Sequence, residues 1–137
     1  MDNYEIMTRF RWLMEEAWTL SQQAEKVLKI GRPAGIAIQT ITGMPHGTND
    51  KDAAAIQLFD GYAAKLREKV AEIMSICDRF EKVMTILEND RDRDICRKYY
   101  ALGMTDDQIA KRVHMDQSTV CRIRNEAIAK IIRIENH

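Results

Sequence analysis

Thr105–Asn125 reads TDDQIAKRVHMDQSTVCRIRN, and two helix starts separated by a very short turn are written into it. Thr105-Asp106-Asp107-Gln108 has the form of a capping box, in which the threonine oxygen accepts the amide of Gln108 and the glutamine side chain reaches back. A short helix follows, with Ile109, Ala110 and Val113 on its apolar side; Ala110 is small where two helices must cross closely. A turn of about three residues then leads to Asp116, expected to cap a second helix whose buried stripe is Val120, Ile123, Ala127, Ile131 and Ile134. His114 stands in the turn where a left-handed backbone is often required, and histidine tolerates positive φ better than most side chains. No His or Cys stands at ligand spacing around it, so a structural role is expected rather than a metal or a pH switch.

On a wheel of about 100° per residue, with the buried stripe inward, Ser118, Arg122, Asn125, Ala129 and Arg133 point outward. Such a face suits the major groove: Arg122 can offer a guanine two hydrogen bonds, Gln117 or Asn125 can do the same for an adenine, and Ser118 adds a small polar contact. Base contacts are therefore expected from Gln117, Ser118, Arg122 and Asn125. Phosphate contacts are expected from Thr105, Lys111, Arg112, Thr119 and Arg133, together with the amides at both helix starts. Arg124 lies beside the buried stripe, so it should pair with an acid on a neighbouring helix instead of reading a base. Cys121 flanks the outward side, with no neighbouring thiol to make a redox switch.

The whole chain of 137 residues has 21 basic and 21 acidic side chains, which argues against a protein that coats nucleic acid non-specifically. The neutral total conceals local structure. From Gln108 to Ile134 there are six basic residues against two acidic ones, and compensating acids such as Asp90, Asp92, Asp94, Asp106 and Asp107 lie just outside that window.

Upstream, Asp90–Ala101 reads as a helix stopped by Leu102 and Gly103. Ile6, Phe10, Leu13, Ala17, Leu20, Ala24 and Val27 recur at steps of three and four and predict a helix from about Asn3 to Ile30. Both prolines and four of the six glycines fall in Gly31–Asp50, GRPAGIAIQTITGMPHGTND, a loop by composition. From about residue 50 the pattern resumes in Ile56, Phe59, Ala63, Leu66, Val70, Ile73, Cys77, Phe80, Met84 and Leu87, predicting one long helix to about Glu88. Ile76, Val83 and Ile86 widen its apolar face, and Trp12, Met14, Trp18 and Leu28 widen that of the first helix. Either an intrachain bundle with the C-terminal part packed on its end or a homodimer through these helices accounts for that width. The expected fold is all-α: a long-helix hairpin or coiled-coil bundle over residues 1–89, followed by a helix-turn-helix domain over residues 90–137.

Cys77, Cys96 and Cys121 are odd in number and widely spaced, which disfavours a disulfide framework or zinc site and fits a reducing compartment. The start MDNYEIMTRFRW lacks the features of a signal peptide, and no run of about 18 apolar residues exists to span a membrane, so a cytoplasmic protein is expected. No glycine-rich phosphate loop, metal-ligand cluster or nucleophile with a plausible base is present, so neither an enzyme nor a cofactor is expected.

The run YYALGMTDDQIAKRVHMDQSTVCRIRNEAIAKI resembles the helix-turn-helix of sigma-factor region 4. The wider layout, an N-terminal helix, a loop with TGMPHG, a heptad helix and then this motif, is similar to small phage-encoded proteins related to the ArpU-type late transcription regulators. The resemblance implies sequence-specific binding of double-stranded DNA in phage gene control, with host RNA polymerase as a further partner. Two departures limit it: His114 replaces the turn glycine, and no other sigma regions are present, so replacement of a complete sigma factor is not implied. Two alternatives stand beside it, a phage DNA-packaging recognition subunit and a helical module that docks on RNA polymerase without reading DNA. The polar outward stripe favours DNA, since a protein-docking face should be more apolar.

Overall fold

A computed structural model describes residues 1–30 and 50–135, with side chains described from 1–29 and 53–135. Five helices account for nearly all of it: α1 (Asn3–Ile30), α2 (Asp50–Met84), α3 (Asp90–Tyr100), α4 (Asp106–Val113) and α5 (Gln117–Glu135). No strand occurs among the described residues, so the all-α class holds. The expected loop over residues 31–49 lies outside the described residues. No helix among those described is long and apolar enough to cross a membrane.

The chain divides into two compact units, Met1–Glu15 with Ala71–His137, and Glu16–Val70, and only their described residues are considered below. The sequence boundary at residues 89 and 90 therefore falls inside the first unit. The reason lies in how its core is shared. Ile6, Met7, Phe10 and Leu13 of α1 pack with Ile76, Phe80, Val83 and Met84 of α2, and the same cluster takes in Leu87 from the segment after α2, Cys96 and Tyr100 of α3, and Ala127 and Ile131 of α5. Phe10 and Phe80 stack with ring centroids 4.4 Å apart and planes within 8°, a contact that adds to the area the two rings bury. Ile76 and Val83, which made the α2 face wider than a two-helix contact needs, are buried in this cluster, so that width is covered within one chain. Burial in the cluster also pushes the Cys96 thiol up to about 12.

Helix α2 ends at Met84, four residues before the end expected from its apolar pattern. The amides of Ile86 and Leu87 turn back to the carbonyls of Val83 and Met84, at 3.1 Å each, and the Thr85 hydroxyl donates to the Lys82 carbonyl at 2.6 Å. These three-residue bonds tighten and close the last turn. Leu87 is nonetheless fully buried; apolar periodicity reports burial, and here burial outlasts the helix. Asn89 then caps α3 by accepting the Arg91 amide at 2.8 Å, and Arg97 of α3 donates twice to Glu81 of α2, at 2.7 and 2.6 Å. That pairing holds the Glu81 carboxyl below the ordinary range.

The start of α1 is capped from two directions. Asp2 accepts the Glu5 amide at 2.7 Å, a local cap. The Glu135 carboxylate at the far end of α5 accepts the Asn3 amide through both oxygens, at 3.0 and 2.9 Å. An anion at a helix N-terminus meets both the unpaired amides and the positive end of the macrodipole.

In the second unit few of the described side chains are buried. Ala24 is buried, Leu20, Val27, Ile56, Phe59 and Leu66 are half-buried, and Trp18 and Leu58 are exposed. Within it Lys69 of α2 pairs with Glu16 of α1 at 2.8 Å.

Candidate nucleic-acid interface

Helix α4 begins as its sequence requires. The Thr105 side chain accepts the Gln108 amide at 3.2 Å and the Gln108 side chain accepts the Thr105 amide at 3.0 Å, the reciprocal pair of a capping box. It ends at His114, whose φ of 58° and ψ of 48° put it in the left-handed region and whose amide bonds the Ala110 carbonyl. The turn-glycine position is thus filled by a left-handed histidine. Gly103, with φ of 68°, takes the corresponding conformation after α3.

Helix α5 departs from expectation at both ends. The Asp116 carbonyl accepts the Val120 amide at 3.1 Å, but no helix-start amide among the described residues donates to its carboxylate. Asp116 is exposed, so water competes for that carboxylate as a hydrogen-bond partner. At the other end Ile134 is 45% exposed, because the buried stripe stops at Ile131, the last α5 residue in the shared core. Thr105→Ala is accordingly expected to lower stability by about 0.5–2 kcal/mol, and Asp116→Ala by clearly less. Thermal melts followed by circular dichroism check this, and equal losses would contradict the assignment of the cap bonds.

Helices α4 and α5 are mounted on a second small core. Ile95 of α3, Ile109 and Ala110 of α4, and Val120 and Ile123 of α5 are buried together, with Tyr99, Met104, Val113 and Met115 against them. Above this core sits the Arg124 pair anticipated from its place on the wheel. Its Nε and Nη2 donate to the two oxygens of Asp106 at 3.0 and 2.8 Å, joining α5 to the first residue of α4. The guanidinium also lies 4.0 Å from the Tyr99 ring centroid, and that of Arg11 lies 3.8 Å from it, a cation–π arrangement on one tyrosine. Arg11 anchors α1 here by donating to the Tyr99 carbonyl. Hydrogen bonds from Arg124 hold the Asp106 carboxyl below its usual range against the opposing effect of burial.

With the inner side of α5 held this way, Gln117, Ser118, Arg122 and Asn125 are all exposed, as are Ala129 and Arg133. Ser118, Cys121, Arg122, Asn125, Glu126 and Ala129 line one shallow, open depression. Asn125 Nδ2 donates to Cys121 Sγ at 3.6 Å. Thr105, Lys111 and Arg112 are exposed and Thr119 is half-buried. The structure therefore leaves the proposed base-reading side chains exposed on α5, with Thr105, Lys111, Arg112 and Thr119 on α4 or near the two helix starts and Arg133 apart from them in the last turn of α5.

Two ion pairs on these helices are missed when each residue is taken singly. Lys111 pairs with Asp107 at 3.2 Å, and Arg122 with Glu126 at 3.4 Å. With Arg124 already taken by Asp106, three of the six basic residues counted from Gln108 to Ile134 carry an acid partner in the free protein. Both new pairs stand at the i,i+4 spacing that signals such contacts, so they were readable. Comparison with protein-family models, curated proteins and solved structures finds no match to the chain.

Proposed function

We propose that α4 and α5 form a helix-turn-helix like that of sigma-factor region 4, and that the protein is a sequence-specific DNA-binding regulator with α5 as the helix laid in the major groove. What carries the reading is the exposed Ser118, Arg122 and Asn125 face opposite the buried Val120, Ile123 and Ala127. A groove-binding helix needs such a face, rigidly backed and rich in side chains that match base edges. The capping threonine supports phosphate binding at the start of α4: Thr105 uses its oxygen as an acceptor within the protein and keeps its hydroxyl proton to donate. Gln117, Thr119, Lys111, Arg112 and Arg133 complete the surface. Helices α1 and α2 are read as a hairpin that joins two copies, since Trp18 and Leu58 leave apolar side chains for a partner to cover; light scattering at micromolar concentration checks the doubled mass. The assignment to phage gene control, with RNA polymerase as a second partner, rests on the resemblance alone.

The test sets one arginine against one lysine. Arg122→Ala is expected to cost about 1–3 kcal/mol on the preferred duplex and to relax preference at one base pair. Lys111→Ala should weaken all duplexes alike and lower the magnitude of the salt slope by about one unit. Gel-shift titrations of both variants at two salt concentrations measure the contrast, using a duplex selected by the wild-type protein and a scrambled control. Unchanged DNA affinity in both variants with loss of binding to RNA polymerase would replace this reading with the protein-docking one. Mapping bound sites across the genome that encodes the protein separates gene control from DNA packaging: sites ahead of late genes support the first, and sites at a packaging origin the second.

A further inference from the structure

Glu126 is an acid on the face that the proposed function turns towards a polyanion. It lies one helical turn beyond Arg122, is largely exposed like its partner, and holds the Arg122 guanidinium at 3.4 Å. An exposed i,i+4 pair adds little to stability, so a folding role does not account for its place among Ser118, Arg122 and Asn125 in the same depression. Its chemistry is selective. A carboxylate only accepts hydrogen bonds, and in the major groove guanine, thymine and adenine each present an acceptor that repels it, whereas cytosine presents its amino donor alone. Against phosphate the carboxylate finds no donor, and the like charges oppose contact.

Resting on the DNA-reading proposal above, we propose that Glu126 is a specificity-determining residue. It accepts the amino group of a cytosine near the base that Arg122 reads, and it penalises every complex that presses this face against phosphate or a mismatched edge. Four residues of helix advance by about 6 Å, while base pairs step by about 3.4 Å, so the two side chains reach base pairs no more than about two steps apart. The preferred duplexes therefore contain a guanine and a cytosine within that spacing. In the free protein Glu126 also holds Arg122 near this position, and exchanging the ion pair for two base contacts costs less in a duplex that supplies both partners.

The experiment compares the full-length protein with Glu126→Gln. Each is used to select from a pool of random-sequence duplexes, and each is then titrated against the wild-type winner and a mixed-sequence duplex at two salt concentrations. Glu88→Gln, the same charge change at an exposed site on the segment after α2, serves as the control. The wild type is expected to select a guanine with a nearby cytosine. Glu126→Gln should lose the preference for that cytosine, bind the mixed-sequence duplex about ten-fold more tightly and show a salt slope steeper by about one unit, while Glu88→Gln does none of this. If Glu126→Gln selects the same motif with the same discrimination, the role of Glu126 is overturned and DNA reading stands. If Glu88→Gln matches Glu126→Gln, net charge is responsible and the role is again overturned. If the wild type binds no duplex at all, both proposals fall together.

Discussion

Phe80→Ala is expected to lower stability by about 3–5 kcal/mol, the range for truncating a buried aromatic side chain. Phe80 is wholly buried and stacked on Phe10, so the variant loses its own burial and leaves a void beside the second ring. Because the same cluster holds Cys96 of α3 and Ile131 of α5, the loss should reach the C-terminal helices as well. A chain carrying Cys77→Ser and Cys121→Ser makes this measurable. Its remaining thiol, Cys96, is completely buried and reacts with a thiol reagent only when α3 is freed from the core. Phe80→Ala in that background should bring the helix melt and the exposure of Cys96 to a lower temperature together. If the helix signal falls early and Cys96 keeps its original midpoint, the two parts of the cluster are energetically separate.

Removing the Asp106 carboxylate should cost about 1–3 kcal/mol, the range for leaving a hydrogen-bonding partner unsatisfied, because Arg124 and Asp106 are only 14% and 15% exposed and Arg124 would lose its acceptor. Asp106→Ala shows the full loss. Asp106→Asn isolates the charge and predicts a change in pH dependence. The Asp106 carboxyl is lowered in the folded protein by its bonds from Arg124, so its contribution is complete above the unfolded value of about 4 and disappears as pH falls through the lower folded value. Wild-type stability should therefore decline below about pH 4, and Asp106→Asn should be weaker at neutral pH with a shallower decline over that acid range. Urea titrations from neutral to acid pH test it. An acid limb equal to that of the wild type would show that the pair contributes no such linkage.

How far the sequence carried depends on whether each feature is local. The bounds of α1, the α4 capping box and the left-handed His114 all follow from neighbours within a turn or two, and each is as expected. Arg124 found its acid because a residue beside a buried stripe must face an adjoining helix. Helix α2 overran its true end, since Leu87 is apolar for the sake of the core and not of a helix. The breadth of its apolar face could not say whether one chain or two would cover it; that Cys96, Tyr100 and Ile131 share a core with Phe80 depends on the path of the whole chain. Glu135 at the start of α1 lies 132 residues from Asn3, beyond any periodic signal. The pairs of Lys111 and Arg122 were within reach of an i,i+4 reading, but counting charges by segment hides the partners that cancel them.

Helix α5 enters both cores of the first unit, through Val120 and Ile123 in one and Ala127 and Ile131 in the other. A continuous helix fixes the angular phase between those two anchor points. Inserting or deleting one residue between Ile123 and Ala127 turns one half by about 100° against the other, so one core would lose its side chains to solvent. The outward face is free to diverge by exchange of Ser118, Arg122, Asn125 or Glu126, since none of these is buried. Change in this helix can therefore rewrite individual letters but cannot shift the frame in which they stand.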